Sequence, residues 1–125
     1  MLSIVVPVLN EEESLLELYR QINTTCSDNS IDFEIIFVDD GSTDGSWQVI
    51  RTIVDSDEKV CGIRFRRNFG KAAALTAGLG ANRGDVAMMV EADLQDDRAE
   101  LPKLQTQLAG AAGDRGCVGA PVAHR

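Results

Sequence analysis

Phe33-Glu34-Ile35-Ile36-Phe37-Val38, running directly into Asp39-Asp40-Gly41-Ser42-Thr43-Asp44-Gly45, decides the fold. Five apolar or aromatic positions broken by one acid are too few for a buried helix and suit a strand covered on both faces. The segment that ends the run is dense in turn formers and helix-capping side chains. Trp47, Ile50, Ile53 and Val54 then recur at helical spacing and mark the inner face of a helix. The unit is strand, turn, helix.

The same unit repeats on either side. Upstream, Ser3 to Val8 reads as a first buried strand, and Leu15, Leu18, Tyr19 and Ile22 mark a helix from about Glu12 to Ile22. Asn10 with Glu13 three residues later resembles the capped start of that helix. Downstream, Val60 to Phe65 is a third strand, and Gly70 to about Asn82 an Ala- and Leu-rich helix whose small residues permit close packing. Gly78 and Gly80 weaken its last turns. Asp85 to Val90 is a fourth strand, a further helix spans about Ala99 to Leu108, and the Gly- and Ala-rich end holds at most a short strand near Val118. Strands alternating with helices predict an α/β fold, a mostly parallel sheet with helices on both faces joined by right-handed crossovers.

The chain has 125 residues, the common size of one domain, and its 44% hydrophobic and 26% charged residues match an ordinary globular protein. A net charge of -8 argues against general attraction to nucleic acid or anionic lipid, so an anionic ligand must be held locally. Cys26, Cys61 and Cys117 are odd in number, widely spaced and without a CxxC pair, which suggests neither a disulfide framework nor a zinc site and fits a reducing, cytoplasmic setting. No leader pattern opens the chain, and no apolar run approaches the ~20 residues of a membrane span.

In an open α/β sheet the ligand sits beyond the carboxyl ends of the strands. Those ends carry Asn10 and Glu11, then Asp39 and Asp40, then Arg66, Arg67 and Asn68, then Glu91, Asp93 and Gln95. Taken singly, each is as well explained by a helix cap or solvated turn, and for Asn10-Glu11 capping is the commoner role. Their convergence points to a ligand, because carboxylates gathered on one rim repel unless a cation or hydrogen-bonding ligand separates them. Glu91 and Asp93, one residue apart in an extended segment, face the same side and can share a divalent ion, with Gln95 continuing that side. The same acids would also cap the helix that follows. Asp39 to Gly45 matches neither phosphate-loop spacing, and its aspartates suit sugar hydroxyls or nucleobase N–H groups instead. Arg64, Arg66, Arg67 and Lys71 form the basic cluster; a solvated strand edge is the favoured reading over a phosphate contact, and His124 has no role.

Four segments in order, Val6-Pro7-Val8-Leu9-Asn10-Glu11-Glu12, Phe37 to Asp44, Arg67-Asn68-Phe69-Gly70-Lys71 and Glu91 to Asp96, resemble the signature of family 2 glycosyltransferases with the GT-A fold, particularly the dolichyl- or polyprenyl-phosphate sugar transferase branch. The resemblance covers about residues 2 to 108. It implies a Rossmann-like nucleotide-sugar-binding half over residues 1–109, followed by a diverged or truncated tail at 110–125. It also implies that Pro7, Leu9, Glu11, Val38, Asp40, Glu91, Ala92 and Asp93 bind a UDP- or GDP-sugar, and that Asp93, with Glu91 and Gln95, holds Mg or Mn. The implied acceptor is a polyprenyl phosphate, met at the inner face of the membrane by a full-length form.

Three departures stand out: Glu91 where the family usually has Asp, Leu9 where an aromatic is common, and the lack of acceptor-site segments, so no catalytic residue is assigned. Missing sheet neighbours would leave exposed edges that favour association. Two rivals remain: a non-catalytic nucleotide-binding remnant, and a receiver-type signalling domain, which would want its acids after strands one and three and a Lys after strand five.

Overall fold

The computed structural model describes residues 1–92; Asp93, Gln95, the helix expected from Ala99 and the strand near Val118 lie outside the described residues. In chain order the elements are β1 (Leu2–Val8), α1 (Leu15–Asp28), β2 (Phe33–Asp39), α2 (Ser46–Ser56), β3 (Val60–Arg64), α3 (Lys71–Ala81) and β4 (Val86–Met89). The four strands form one parallel sheet in the order β3-β2-β1-β4.

Alternation along the central strands sorts the core into two layers. Ile4, Val6 and Val8 of β1 and Ile35 and Phe37 of β2 face α1 and α2, packing on Leu15, Leu18, Ile22, Cys26, Ile50 and Ile53. Val5, Ile36 and Val38 face the other way, onto Ala74 of α3. Every residue of β1 and β2 is buried, which is why both read as nearly continuous apolar runs.

Steps from β1 to β2 to β3 move one way across the sheet with their helices on one face. The step from β3 to β4 passes back over both inner strands with α3 on the opposite face, and so keeps the same crossover hand. Strand order therefore reverses between β1 and β4, and a crevice opens beyond their carboxyl ends.

Three local expectations are corrected. Asn10 does not cap α1: the helix starts at Leu15 with Ser14 at the cap position, and Asn10 takes a left-handed φ of 55°. The helix also continues six residues past Ile22, because Thr25 and Cys26 extend its buried stripe. Gly78, whose expected effect was to weaken α3, lies inside it; a Cβ there would come within 2.4 Å of Val5 Cγ1. Its missing side chain lets α3 sit directly on the sheet, and this contact outweighs the helix penalty of glycine.

Candidate active site

At the strand-order reversal lies a cleft of about 300 Å3. Pro7, Val8 and Leu9 line it from the end of β1, with Glu11 just beyond. Asp40 enters from the end of β2, Asn68, Gly70 and Lys71 from the start of α3, and Glu91 and Ala92 from the end of β4. A second hollow of about 290 Å3, between Met1, Ile31, Asp32 and Asp85, lies at the opposite end of the strands. Size does not separate the two. Convergence of charged groups from four elements favours the first.

Asn10 works as a clamp. Its Oδ1 accepts the backbone N–H groups of Thr43 (2.8 Å) and Asp44 (3.3 Å), while its own N–H donates to Ser42 Oγ. Beside it the Glu11 N–H donates to Ser46 Oγ, and the Gly45 N–H donates to Glu12 Oε1. The loop after β1 and the loop after β2 are thus joined into one wall. Asp44 belongs to the same net: desolvation pushes its carboxyl up, but the Ser46 hydroxyl and the N–H groups of Ser46, Glu12 and Asp44 itself outweigh that and hold it below the usual carboxylate range.

Asp40 is almost fully buried and binds backbone with both oxygens: Oδ1 accepts the Phe69 N–H at 2.7 Å and Oδ2 the Gly70 N–H at 3.1 Å. Gly70 is the N-cap of α3 and has no side chain, so a carboxylate from another strand caps that helix. Close approach makes this possible. Gly41, with φ +79°, lies against the backbone of Arg67 and Asn68, where a Cβ would be 2.3 Å from the Arg67 carbonyl carbon. Each Asp40 oxygen keeps a lone pair beyond the one it uses.

Neighbouring Asp39 is fully buried; Oδ1 accepts the Ser42 N–H, and Oδ2 has no hydrogen-bond partner among the described residues. Val38 is separate from the cleft, fully buried beneath α3, so its side chain serves the core. The family resemblance made it a site candidate; its neighbours on the α3 face, Val5 and Ile36, show the packing role that alternation assigns it.

Glu91 and Lys71 meet across the mouth of the cleft, with Nζ 2.9 and 3.0 Å from the two carboxylate oxygens and both side chains more than half exposed. Leu9 is 41% exposed and presents an aliphatic wall to the cleft. Asn68, expected at the ligand rim, and Lys71, expected in a solvated basic cluster, both line the cleft, together with Gly70, which has no site role in the sequence reading. The signal was there: a glycine directly before a lysine at the first turn of a helix, where orphan N–H groups and a cation coincide. Arg64 stacks over Trp47 and Arg67 over Phe69, and of the basic cluster only Lys71 lines the cleft.

Among the described residues, no group of three His, Cys, Asp or Glu side chains is placed to hold a metal ion. The donor chemistry nevertheless suits a hard cation: Glu11, Asp40 and Glu91 bring three carboxylates to the cleft against the single ammonium of Lys71. No helix among the described residues is long and apolar enough to cross a membrane.

The sequence pattern of "Glycosyl transferase family 2" matches residues 3–122. The chain belongs to that family. Among curated relatives of this family 2 member, undecaprenyl-phosphate 4-deoxy-4-formamido-L-arabinose transferase of Pseudomonas fluorescens (strain SBW25) is 44% identical over 108 residues, covering 86% of this chain and 32% of the relative. The transferase of the same name from Salmonella choleraesuis (strain SC-B67) is 40% identical over 103 residues, covering 82% and 32%. The chain thus spans about a third of the length of the relatives it matches. A mannosyltransferase from Pyrobaculum calidifontis, solved with GDP-Man and Mn2+, superposes with a TM-score of 0.65 at 22% identity over 83% of this chain and 31% of that one, a likeness of fold. Glucosyl-3-phosphoglycerate synthase from Mycobacterium tuberculosis, solved with Mn2+, UDP and phosphoglyceric acid, gives 0.58 at 29% identity over 74% and 33%.

Proposed function

We propose that this family 2 glycosyltransferase chain supplies the donor half of a metal-dependent sugar transfer, from a UDP- or GDP-sugar to a polyprenyl phosphate at the cytoplasmic face of a membrane. The observation that carries the reading is the convergence of Pro7, Leu9, Glu11, Asp40, Glu91 and Ala92 on one cleft at the strand-order reversal. Relatives named for undecaprenyl-phosphate sugar transfer supply the acceptor class.

In this reading Pro7 and Leu9 form the apolar wall for the nucleoside. Glu11 and the spare lone pairs of Asp40 accept hydrogen bonds from ribose or base, and Glu91 belongs to the metal side with Asp93 and Gln95. A bound Mg or Mn would neutralise the diphosphate and stabilise it as a leaving group. An acceptor phosphate oxygen forms a bond to the anomeric carbon, the bond from that carbon to the diphosphate breaks, and its electron pair leaves with the nucleoside diphosphate.

Calorimetric titration of UDP and GDP with and without Mn, followed by an assay of radiolabelled sugar transfer to polyprenyl phosphate, tests the proposal. Expected is binding of one nucleotide that strengthens with Mn. Absence of binding by either nucleotide in either condition would sink it. A second reading of the same cleft is nucleotide binding without turnover. Metal-assisted binding with no transfer would select it.

A further inference from the structure

Resting on the donor-site reading, we infer that Lys71 and Glu91 form a partner-exchange latch: Glu91 holds Lys71 across the mouth of the cleft, and donor entry moves Lys71 to the diphosphate while Glu91 turns to the divalent ion. The pair joins two elements that are not adjacent in the chain. Lys71 is the first residue of α3, Glu91 follows β4, and both line the cleft. Nζ lies 2.9 and 3.0 Å from the two oxygens, so the carboxylate uses both on one ammonium.

Chemistry makes exchange cheap. Both side chains are exposed, 59% and 51%, so the pair is weak and each partner is free to swing. A metal–diphosphate unit brings one cationic and one anionic face to the same opening. Glu91 and Lys71 can each exchange their present partner for one of those faces without leaving a charge unpaired. Lys71 is also the only cation lining the cleft among the described residues, while Glu11, Asp40 and Glu91 would all repel a phosphate. The longer side chain of Glu91, one methylene beyond Asp, supplies reach across the mouth.

The prediction is a pair of effects with opposite sign. Lys71→Gln should bind Mn alone roughly threefold more tightly, the scale of an exposed ion pair released from Glu91. It should bind UDP with Mn about tenfold more weakly, the scale of a lost charge-assisted hydrogen bond, and leave uridine binding unchanged. In a Glu91→Gln background, Lys71→Gln should no longer change Mn affinity. Calorimetry on the four chains measures all of this, with denaturation midpoints checking that these exposed substitutions leave the fold intact. The latch is overturned if Lys71→Gln fails to tighten Mn, or if the tightening persists in Glu91→Gln, which would make it a through-space effect. Should the wild-type chain bind neither Mn nor UDP, the donor-site reading falls and the latch with it; binding by wild type with a wrong-signed variant sinks the latch alone.

Discussion

The two ends of the sheet carry polar networks of similar density and opposite character. At the amino ends of the strands, Glu34 is buried; its Oε2 accepts the Ser3 hydroxyl (2.6 Å) and the Arg83 N–H (2.7 Å), and its Oε1 faces Arg83 Nε at 3.3 Å. Ser3 Oγ in turn accepts the Gly84 N–H. Each charged or hydroxyl group there binds a protein partner, and the turn between α3 and β4 is tied to the sheet. At the carboxyl ends the loops are clamped too, yet Leu9, Glu11, the nearly buried Asp40 and the Lys71–Glu91 pair line an open cleft. A closed network holds the fold, and a clamped network with outward-facing groups can bind a ligand.

The largest effect should come from the closed end. Glu34→Ala removes one member of a buried charged network and leaves the Ser3 hydroxyl proton and the Arg83 N–H without an acceptor, which should cost about 3 kcal/mol in urea denaturation. Nucleotide affinity of the folded fraction should not change; a loss of affinity at constant stability would erase the distinction between the two ends.

Next comes the packing that sets the α3 face. Gly78→Ala gains intrinsic helix propensity but drives a methyl against Val5, so a net loss of roughly 1–2 kcal/mol is expected, read as a lower denaturation midpoint. A gain in stability would show that α3 does not need glycine to seat on the sheet.

Asp40→Asn sharpens the comparison at the open end. The amide can accept from only one of the two N–H groups and opposes the other, costing about 1–2 kcal/mol, confined to the start of α3. Hydrogen exchange should quicken at the Phe69 and Gly70 amides before the rest of the sheet, and nucleotide binding should weaken alongside.

The smallest effect concerns the face of the sheet away from α3. Tyr19 of α1 donates its hydroxyl to Asp57 Oδ2 at 2.5 Å. Burial first, then the hydrogen bond and charge of Asp57, push its hydroxyl up to about 12 from 10.0. A raised folded-state value favours the protonated form, so this stabilisation is complete below pH 10 and is lost as pH rises towards 12. Tyr19→Phe should lower stability by about 1 kcal/mol near neutrality and flatten the decline between pH 10 and 12, followed by denaturation at stepped pH.

Much of this molecule is legible in the chain itself. Runs such as Phe33 to Val38 are too short and too apolar to be anything but buried strands, and Ile50 and Ile53 show their inward face by spacing alone. The acids at the ends of β1, β2 and β4 follow from strand order, because parallel strands place all their carboxyl ends on one rim. The cap reading of Asn10 was a sound local rule defeated by a distant partner: the loop at Thr43 and Asp44, more than thirty residues on, binds its side chain instead of α1.

Sequence by itself therefore determined the α/β class, the order of elements, the two apolar faces of the central strands and the family. Tertiary structure alone decided that Asp40 caps a helix from another strand, that Gly78 is a contact surface, and that Lys71 pairs with Glu91. The reason is physical. Strand and helix patterns depend on neighbours within a few positions, whereas a polar side chain binds whichever N–H or charge the packed chain brings within about 3 Å, and nothing local names that partner.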